Sequence, residues 1–158
     1  MLLGTTAEKL EKVGVQTLAI MASAADRARL YFRYRPTRCT VGADPDLNTH
    51  RVYGVPRTAI SPDIWQAAES AAQRLARELG LPMPDGNGYK AIERLDGFTP
   101  SDRDAADLER HQIQFSGQFL IDRDGIVRWS GIECAQGGLA DIDKFPTDEE
   151  LLALARAL

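Results

Sequence analysis

The segment Ser116–Trp129 constrains the fold of this chain more than any other, because it has the pattern of a β-hairpin. Phe119–Ile121 is an apolar run that is too short and too rich in β-forming residues for a helix. In the turn that follows, Asp122–Gly125, aspartates can bond their own backbone and glycine accepts a positive φ without steric cost. Ile126–Trp129 then alternates partly between apolar and polar residues, as a returning strand does. A capped helix over Asp148–Leu158 completes a predicted strand–strand–helix order.

The first third of the chain alternates helix and strand signals with short connections. Glycine and proline end the helices, and Ser23 and Asp44 are predicted to cap the helices that follow them. Helices and strands that alternate in this way are typical of parallel strands in an α/β fold. The predicted elements are a short helix, or the tail of a longer one, over Thr6–Val13, a buried strand over Val15–Met21, a helix from Ser23 to about Arg35, a strand over Cys39–Val41 and a helix from Pro45 to Val52 or Tyr53.

Residues 57–114 are predicted as a helical insertion, placed before the hairpin within one domain that spans residues 1–158. Apolar residues in the first part of this segment keep helical spacing up to a glycine, and a loop rich in proline and glycine comes next. The predictions are a helix from Ser61–Pro62 to Leu79, a loop over Leu81–Gly88, either a strand or a helical turn over Tyr89–Leu95, a polar helix from Thr99–Pro100 to about Arg110, a loop over Ile132–Pro146, and a capping box made by Thr147 and Glu150.

Composition narrows the class of protein. The 158 residues suffice for one domain with a real core, and a net charge of −4 argues against binding to nucleic acid. Two cysteines and two histidines are too few for a zinc cluster built from those residues alone, and no cofactor is expected. No apolar stretch approaches the ~18 residues of a membrane span, and no signal peptide is recognised. We therefore expect a cytoplasmic protein with reduced thiols that does not bind membranes.

The hairpin sequence Gly-Gln-Phe-Leu-Ile-Asp-Arg-Asp-Gly-Ile-Val-Arg-Trp resembles the terminal hairpin of the thioredoxin-like superfamily. Val15–Met21, Ala43–Asp46 and Tyr53–Val55 are similar, in the same order, to the middle section of its redoxin branch, the alkyl hydroperoxide reductase and thiol-specific antioxidant (peroxiredoxin-like) family. The resemblance covers about two-thirds of the chain in two blocks. It implies a thioredoxin-like fold, in which helices flank a central mixed sheet, and an activity that reduces peroxides or disulfides with the help of a thiol reductant.

Two features depart from this family. Its nucleophilic cysteine lies where the strand before the first helix meets that helix, and the sequence has neither that strand nor a Cys-x-x-Cys motif ahead of Thr6. The absent strand is the central one in the thioredoxin fold. We therefore expect a truncated start, another segment in the gap, or a homodimer that completes the sheet. Just ahead of the hairpin strand, thioredoxins have a cis-proline and typical peroxiredoxins have an arginine that helps to activate the peroxide. This chain has Ser116 at that position, and serine can replace neither residue.

Both cysteines are candidate catalytic residues. Cys39 lies near Arg33, Arg35 and Arg38 in sequence, and nearby cations make a thiol more nucleophilic. The alternative is a small core residue at the start of a strand. Cys134 is expected in an exposed loop, where it could pair with a thiol of a partner, although its neighbour Glu133 opposes thiolate formation. The sequence spacing gives no support for a disulfide between the two cysteines.

Other polar residues have simpler explanations. His50 and His111 are predicted on helix surfaces, because a metal site would need further ligands. The arginines of the segment Arg27–Arg38 could bind an anion or an acidic partner, or could form a solvated helix face. Two functions from different classes remain. One is a thiol-dependent oxidoreductase of the redoxin family, and the other is a thioredoxin-like binding or dimerisation module without catalysis, or a shortened redoxin.

Overall fold

The computed structural model describes residues 2–96 and 100–158, and its helices and short strands alternate as far as Glu78. The predicted α/β class is confirmed. The helices are α1 (Leu2–Glu11), α2 (Ala25–Tyr34), α3 (Asn48–Val52), α4 (Pro62–Glu78), α5 (Gly88–Asp96), α6 (Asp102–His111) and α7 (Asp148–Arg156). The strands are β1 (Leu18–Met21), β2 (Thr40–Ala43), β3 (Arg57–Thr58), β4 (Ile113–Gln114), β5 (Gly117–Ile121) and β6 (Val127–Ile132), and short 3₁₀ helices cover Pro84–Gly86 and Gly138–Asp141.

The chain divides into two compact units, each built from separate segments. The first unit consists of the residues up to Pro56, Ser116–Ile132 and Phe145–Leu158. The second unit consists of Arg57–Phe115 and Glu133–Lys144. The second unit therefore contains the segment predicted as a helical insertion and, in addition, most of the loop that follows the hairpin.

The strands of the first unit form two separate pairs. β1 and β2 run parallel, with Leu18 opposite Thr40, and β5 and β6 run antiparallel, with Leu120 opposite Trp129. The predicted central mixed sheet is not observed among the described residues, because no strand there joins the two pairs. The prediction of a buried first strand is also wrong: Leu18 is 61% exposed and the rest of β1 is half-buried, since β1 has a strand neighbour on one side only.

The hairpin turn is held by Asp122, as its sequence predicts. One carboxylate oxygen, Oδ1, accepts hydrogen bonds from the backbone N–H groups of Asp124 and Ile126, each at 2.9 Å. The other oxygen, Oδ2, accepts a hydrogen bond of 2.6 Å from Nε of Arg128. Gly125 adopts a φ of +81°, the left-handed conformation that favours glycine. Turn chemistry and strand pattern thus agree in this segment.

The core of the first unit lies where the hairpin meets the first and last helices. Its buried residues are Leu10, Leu120, Leu151 and Ala155, and Trp129 packs against them. At the edge of this core the Asp148 carboxylate accepts hydrogen bonds from the Thr6 hydroxyl, at 2.6 Å, and from the Lys9 ammonium. The predicted capping box at the start of α7 is confirmed. These contacts hold α1 and α7 together.

Of the predicted caps at Ser23 and Asp44, the first is wrong and the second is confirmed. Ser23 does not cap α2, since Ala24 occupies the cap position and provides no side-chain acceptor. The Asp44 carboxylate accepts the backbone N–H groups of Asn48, at 3.0 Å, and Thr49, at 2.6 Å, in the first turn of α3. The predicted start of α3 at Pro45 is wrong, because a turn over residues 44–47 precedes the helix.

The second unit is mainly helical. α4 begins at Pro62 and is followed by Gly80, both as predicted, and the Ser61 hydroxyl caps it by accepting the Ile64 backbone N–H. The ambiguous segment Tyr89–Leu95 belongs to a helix, α5, which packs against α4. Helix α6 begins at Asp102, later than predicted, because Ser101 and Asp104 form its capping box; Thr99 lies outside the described residues. β3 and β4 form a short antiparallel pair.

No helix in the described part of the chain combines the length and the apolar character needed to cross a membrane.

Candidate functional site

Cys39 lies directly before β2 in the first unit, where its side chain is half-buried. Thr37 is its polar neighbour: the Thr37 hydroxyl oxygen is 3.2 Å from Cys39 Sγ, and the Cys39 backbone N–H donates to the same oxygen at 3.3 Å. Pro36 ends α2 just ahead of this pair, so the short connection places both side chains close to the helix. A hydroxyl at this distance can donate a hydrogen bond to a thiolate.

An open groove of about 300 Å³ runs between α2 and β2 and includes the Cys39 side chain in its wall. The apolar residues of the wall come from both elements, because α2 presents residues at helical spacing and β2 presents alternate residues. Among the described residues that line it, Arg29 is the only cation and none is acidic. The lining consists of Ala25, Ala28, Arg29, Phe32, Thr37, Cys39, Val41 and Ala43.

Arg33, Arg35 and Arg38, the arginines close to Cys39 in sequence, do not line its groove. Arg38 forms an ion pair with Glu8, with 3.5 Å between Nη1 and Oε1. The guanidinium of Arg35 lies over the Tyr31 ring, 4.4 Å from its centroid. The cation that shares the groove with the thiol is Arg29, ten positions before it. The sequence does not identify Arg29 as a neighbour of Cys39, because the two residues come together only when α2 packs on β2.

Cys134 lies in the second unit, in the loop after β6, and its backbone has a φ of +61°. It is half-buried, not exposed as predicted. Burial, followed by the carboxylates of Glu133 and Asp141, raises the pKa of the Cys134 thiol above its ordinary value. The acidic neighbour thus acts in the direction that the sequence predicts, and it makes Cys134 a poor nucleophile near neutral pH.

The two candidate cysteines are not brought into one bonded pair. Each is a free thiol, and they belong to different units of the chain. The structure therefore describes two separate thiol environments: Cys39 beside a hydroxyl and an arginine-bearing groove, and Cys134 beside carboxylates. The first of these is the better candidate for thiol chemistry.

The predicted surface positions of both histidines are wrong. His111 is 7% exposed at the end of α6, and the His50 side chain is 14% exposed in α3. His50 Nδ1 lies 3.8 Å from the Asp44 carboxylate and has no hydrogen-bond partner among the described residues. No group of three metal-ligating side chains is found in the described part of the chain.

No protein-family model matches this chain, and no curated protein or solved structure gives a significant match. The residues themselves therefore carry the functional argument.

Proposed function

We propose that this protein is a cytoplasmic, thiol-dependent oxidoreductase with a thioredoxin-like, redoxin-type fold, and that Cys39 is its reactive thiol. The observation that carries the proposal is the position of Cys39 Sγ, 3.2 Å from the Thr37 hydroxyl in the wall of a groove that also holds Arg29. A thiol in an accessible groove with a hydroxyl and a cation nearby is suited to act as a nucleophile.

The order of elements supports the fold part of this proposal. A helix, a strand, a second helix, a strand parallel to the first, a third helix, an antiparallel hairpin and a closing helix follow one another in the first unit. This is the redoxin order without its first, central strand. The contact of α1 with α7 also agrees with a fold in which those two helices share one face of the sheet.

The proposed reaction reduces a hydroperoxide. The Cys39 thiolate forms a bond to the terminal peroxide oxygen, the O–O bond breaks, and the alkoxide takes up a proton and leaves as an alcohol. Sulfur is oxidised by two electrons to a sulfenic acid while the peroxide is reduced by two. An external thiol then attacks the sulfenic sulfur and releases water, and a second thiol resolves the mixed disulfide. The Thr37 hydroxyl stabilises the thiolate by donating to it.

The test is intact-mass spectrometry of the reduced protein after stoichiometric hydrogen peroxide, with a reagent that traps sulfenic acid. We expect rapid oxidation confined to Cys39, which Cys39→Ser abolishes and the matched variant Cys134→Ser leaves unchanged. Thr37→Val should slow the oxidation about tenfold, since a hydrogen bond to a charged group is worth about 1.5 kcal/mol or more. Oxidation at Cys134 alone, or at both sites no faster than free cysteine, contradicts the proposal.

A second candidate function is a binding module without catalysis, in which a second copy of the chain completes the sheet. Its support is an incomplete strand arrangement: among the described residues, β1 pairs with β2 on one side only. Thr17 Oγ1, just ahead of β1, and Gln118 Oε1, on β5, are also buried without a hydrogen-bond partner there. In the redoxin order the missing strand lies between these two strands, where its polar groups could serve them.

Sedimentation velocity over a range of concentrations tests this second candidate. The Met21 carbonyl accepts the Asp44 backbone N–H, so the N–H of Ile20 faces away from β2, towards the open edge of β1. A homodimer that Ile20→Pro weakens, since proline removes this donor, supports a completed sheet. A chain that sediments as a monomer at all concentrations contradicts it.

A further inference from the structure

The Cys39 groove combines an apolar wall with one arginine that has no partner among the described residues. Ala28 and Phe32 of α2 lie on one side, and Val41 of β2 lies on the other. Arg29 is exposed and makes no hydrogen bond or ion pair within residues 2–96 and 100–158. An unmatched guanidinium beside an apolar surface is complementary to a molecule that has an apolar body and a negatively charged end.

A second groove on α2 serves as a comparison. It has a volume of about 260 Å³ and is lined by residues of α1, β1 and α2 and by Arg35 and Thr37, which follow α2. Its cation differs from Arg29, because the Arg35 guanidinium already stacks on Tyr31. The charge available for a ligand is therefore specific to the groove that holds Cys39.

We propose that the Cys39 groove binds a medium-chain aliphatic carboxylate, with the carboxylate on Arg29 and the alkyl chain along Phe32 and Val41. A guanidinium presents paired N–H donors that match the two oxygens of a carboxylate, which favours this anion over a simple alcohol. The volume of about 300 Å³ suits a small ligand, since it lies at the lower end of the range for small-molecule sites. The inference deepens the proposed function: the reacting substrate would be an acyl-chain hydroperoxide that carries a carboxylate.

The direct test uses octanoate and octanol, which have the same chain length but differ in charge, and neither of which reacts with thiols. Titration calorimetry on the full chain should show that octanoate binds about fivefold more tightly than octanol, the preference that one partly exposed charge pair gives. Arg29→Gln should remove that preference. Arg33→Gln is the matched control, because Arg33 is an exposed arginine of the same helix that does not line the groove.

A second measurement locates the ligand without relying on folding of the Arg29 variant. Saturating octanoate should slow alkylation of Cys39 by iodoacetamide at least fivefold and leave alkylation of Cys134 unchanged, since only Cys39 lies in the groove. Ala25→Trp, at an exposed position in the groove wall, should weaken the binding of both octanoate and octanol, because the indole ring would fill the space that they occupy.

The outcomes separate this inference from the proposed function. If octanoate protects Cys39 while peroxide leaves that thiol intact, the binding site stands and the oxidoreductase proposal fails. If peroxide oxidises Cys39 while octanoate and octanol bind equally or not at all, the carboxylate inference is overturned and the redox function stands. Equal loss of preference in Arg29→Gln and Arg33→Gln also overturns it, because the effect would then come from the net charge of α2.

Discussion

The indole ring of Trp129 lies over the α-carbon of Gly131, two positions further along β6. A Cβ atom at position 131 would come 2.6 Å from Trp129 Cη2 and 2.9 Å from Cζ2, well inside normal contact distance. Residues i and i+2 of a strand face the same side, so this crowding follows from the strand geometry. Trp129 cannot easily move away, because it packs against the buried core that α1, α7 and the hairpin share.

Replacement of Gly131 by alanine is therefore expected to destabilise the first unit by about 2 kcal/mol, the usual cost of overpacking. Urea unfolding monitored by tryptophan fluorescence measures the change. The control is Ser130→Ala in the same strand, where an exposed side chain should alter the free energy of unfolding by no more than about 0.5 kcal/mol. Equal stability of the two variants would show that Trp129 is free to turn aside.

Gly88 should tolerate alanine even less. A Cβ at this position would lie 2.6 Å from the carbonyl carbon of Ala72 and 2.9 Å from Cα of Gln73, and both atoms belong to the backbone of α4. Backbone cannot rotate away as a side chain can, so α5 would have to separate from α4. We expect Gly88→Ala to cost about 3 kcal/mol in the free energy of unfolding.

Loss of α4–α5 packing in this variant should appear as faster hydrogen exchange in both helices. Lys90→Ala is a suitable control on α5, because the exposed ion pair of Lys90 with Asp85 is worth less than about 1 kcal/mol. Unchanged exchange in Gly88→Ala would contradict the close approach of the two helices.

The Asp148 contacts predict a loss of stability in acid. Hydrogen bonds from Lys9 and Thr6 lower the pKa of the Asp148 carboxyl below its ordinary value. A lowered pKa gives stability that is complete above the unfolded value of about 3.9 and is lost as the pH falls through the lower folded value. Asp148→Asn should therefore flatten the fall in the urea midpoint below about pH 4.

Glu149→Gln provides the matched control for this prediction, because it removes a carboxylate from the same first turn of α7 and leaves the Lys9 and Thr6 contacts in place. If both variants flatten the acid limb equally, the effect belongs to the general charge of the helix terminus and not to Asp148.

The carboxylates around Cys134 predict slow alkylation of that thiol. Its pKa is raised by burial and then by Glu133 and Asp141, so the thiolate fraction at neutral pH is small. Glu133→Gln removes one of the two charges and should speed the reaction of Cys134 with iodoacetamide about threefold at pH 8. Glu93→Gln, at an exposed position in α5, should leave the rate unchanged. An unchanged rate in Glu133→Gln would contradict the prediction and would leave burial and Asp141 as the causes of the slow reaction.

Local chemistry made part of this structure predictable from the sequence. The Asp122 turn, the Thr147–Glu150 capping box and the start of α4 after Ser61 each depend on residues within a few positions of one another, and the sequence predicts all three. Strand pairing was harder to predict, because it depends on which distant segments meet. The apolar pattern of Val15–Met21 predicts a buried strand, whereas the two-stranded sheet of β1 and β2 leaves Leu18 exposed.

The surroundings of the candidate site were also hard to predict from the sequence. Cys39 is one of only two cysteines, which makes it a candidate, but the arginines next to it in sequence do not line its groove. Arg38 pairs with Glu8, and Arg29 reaches the groove only because α2 packs along β2. Burial of His111 at the end of a polar helix was likewise not visible from a pattern that is mostly hydrophilic.

The bond between Lys9 and Asp148 spans 139 positions of sequence. During synthesis on the ribosome, α1 emerges well before α7, so the core that the two helices share cannot form until α7 has been synthesised. Contacts of such high sequence separation slow folding, and they leave a nascent chain with uncovered apolar surface in the meantime. A chain interrupted before Asp148 would therefore leave Leu10 of α1 and Leu120 of the hairpin without the α7 residues that bury them, and would present this apolar surface to chaperones and proteases.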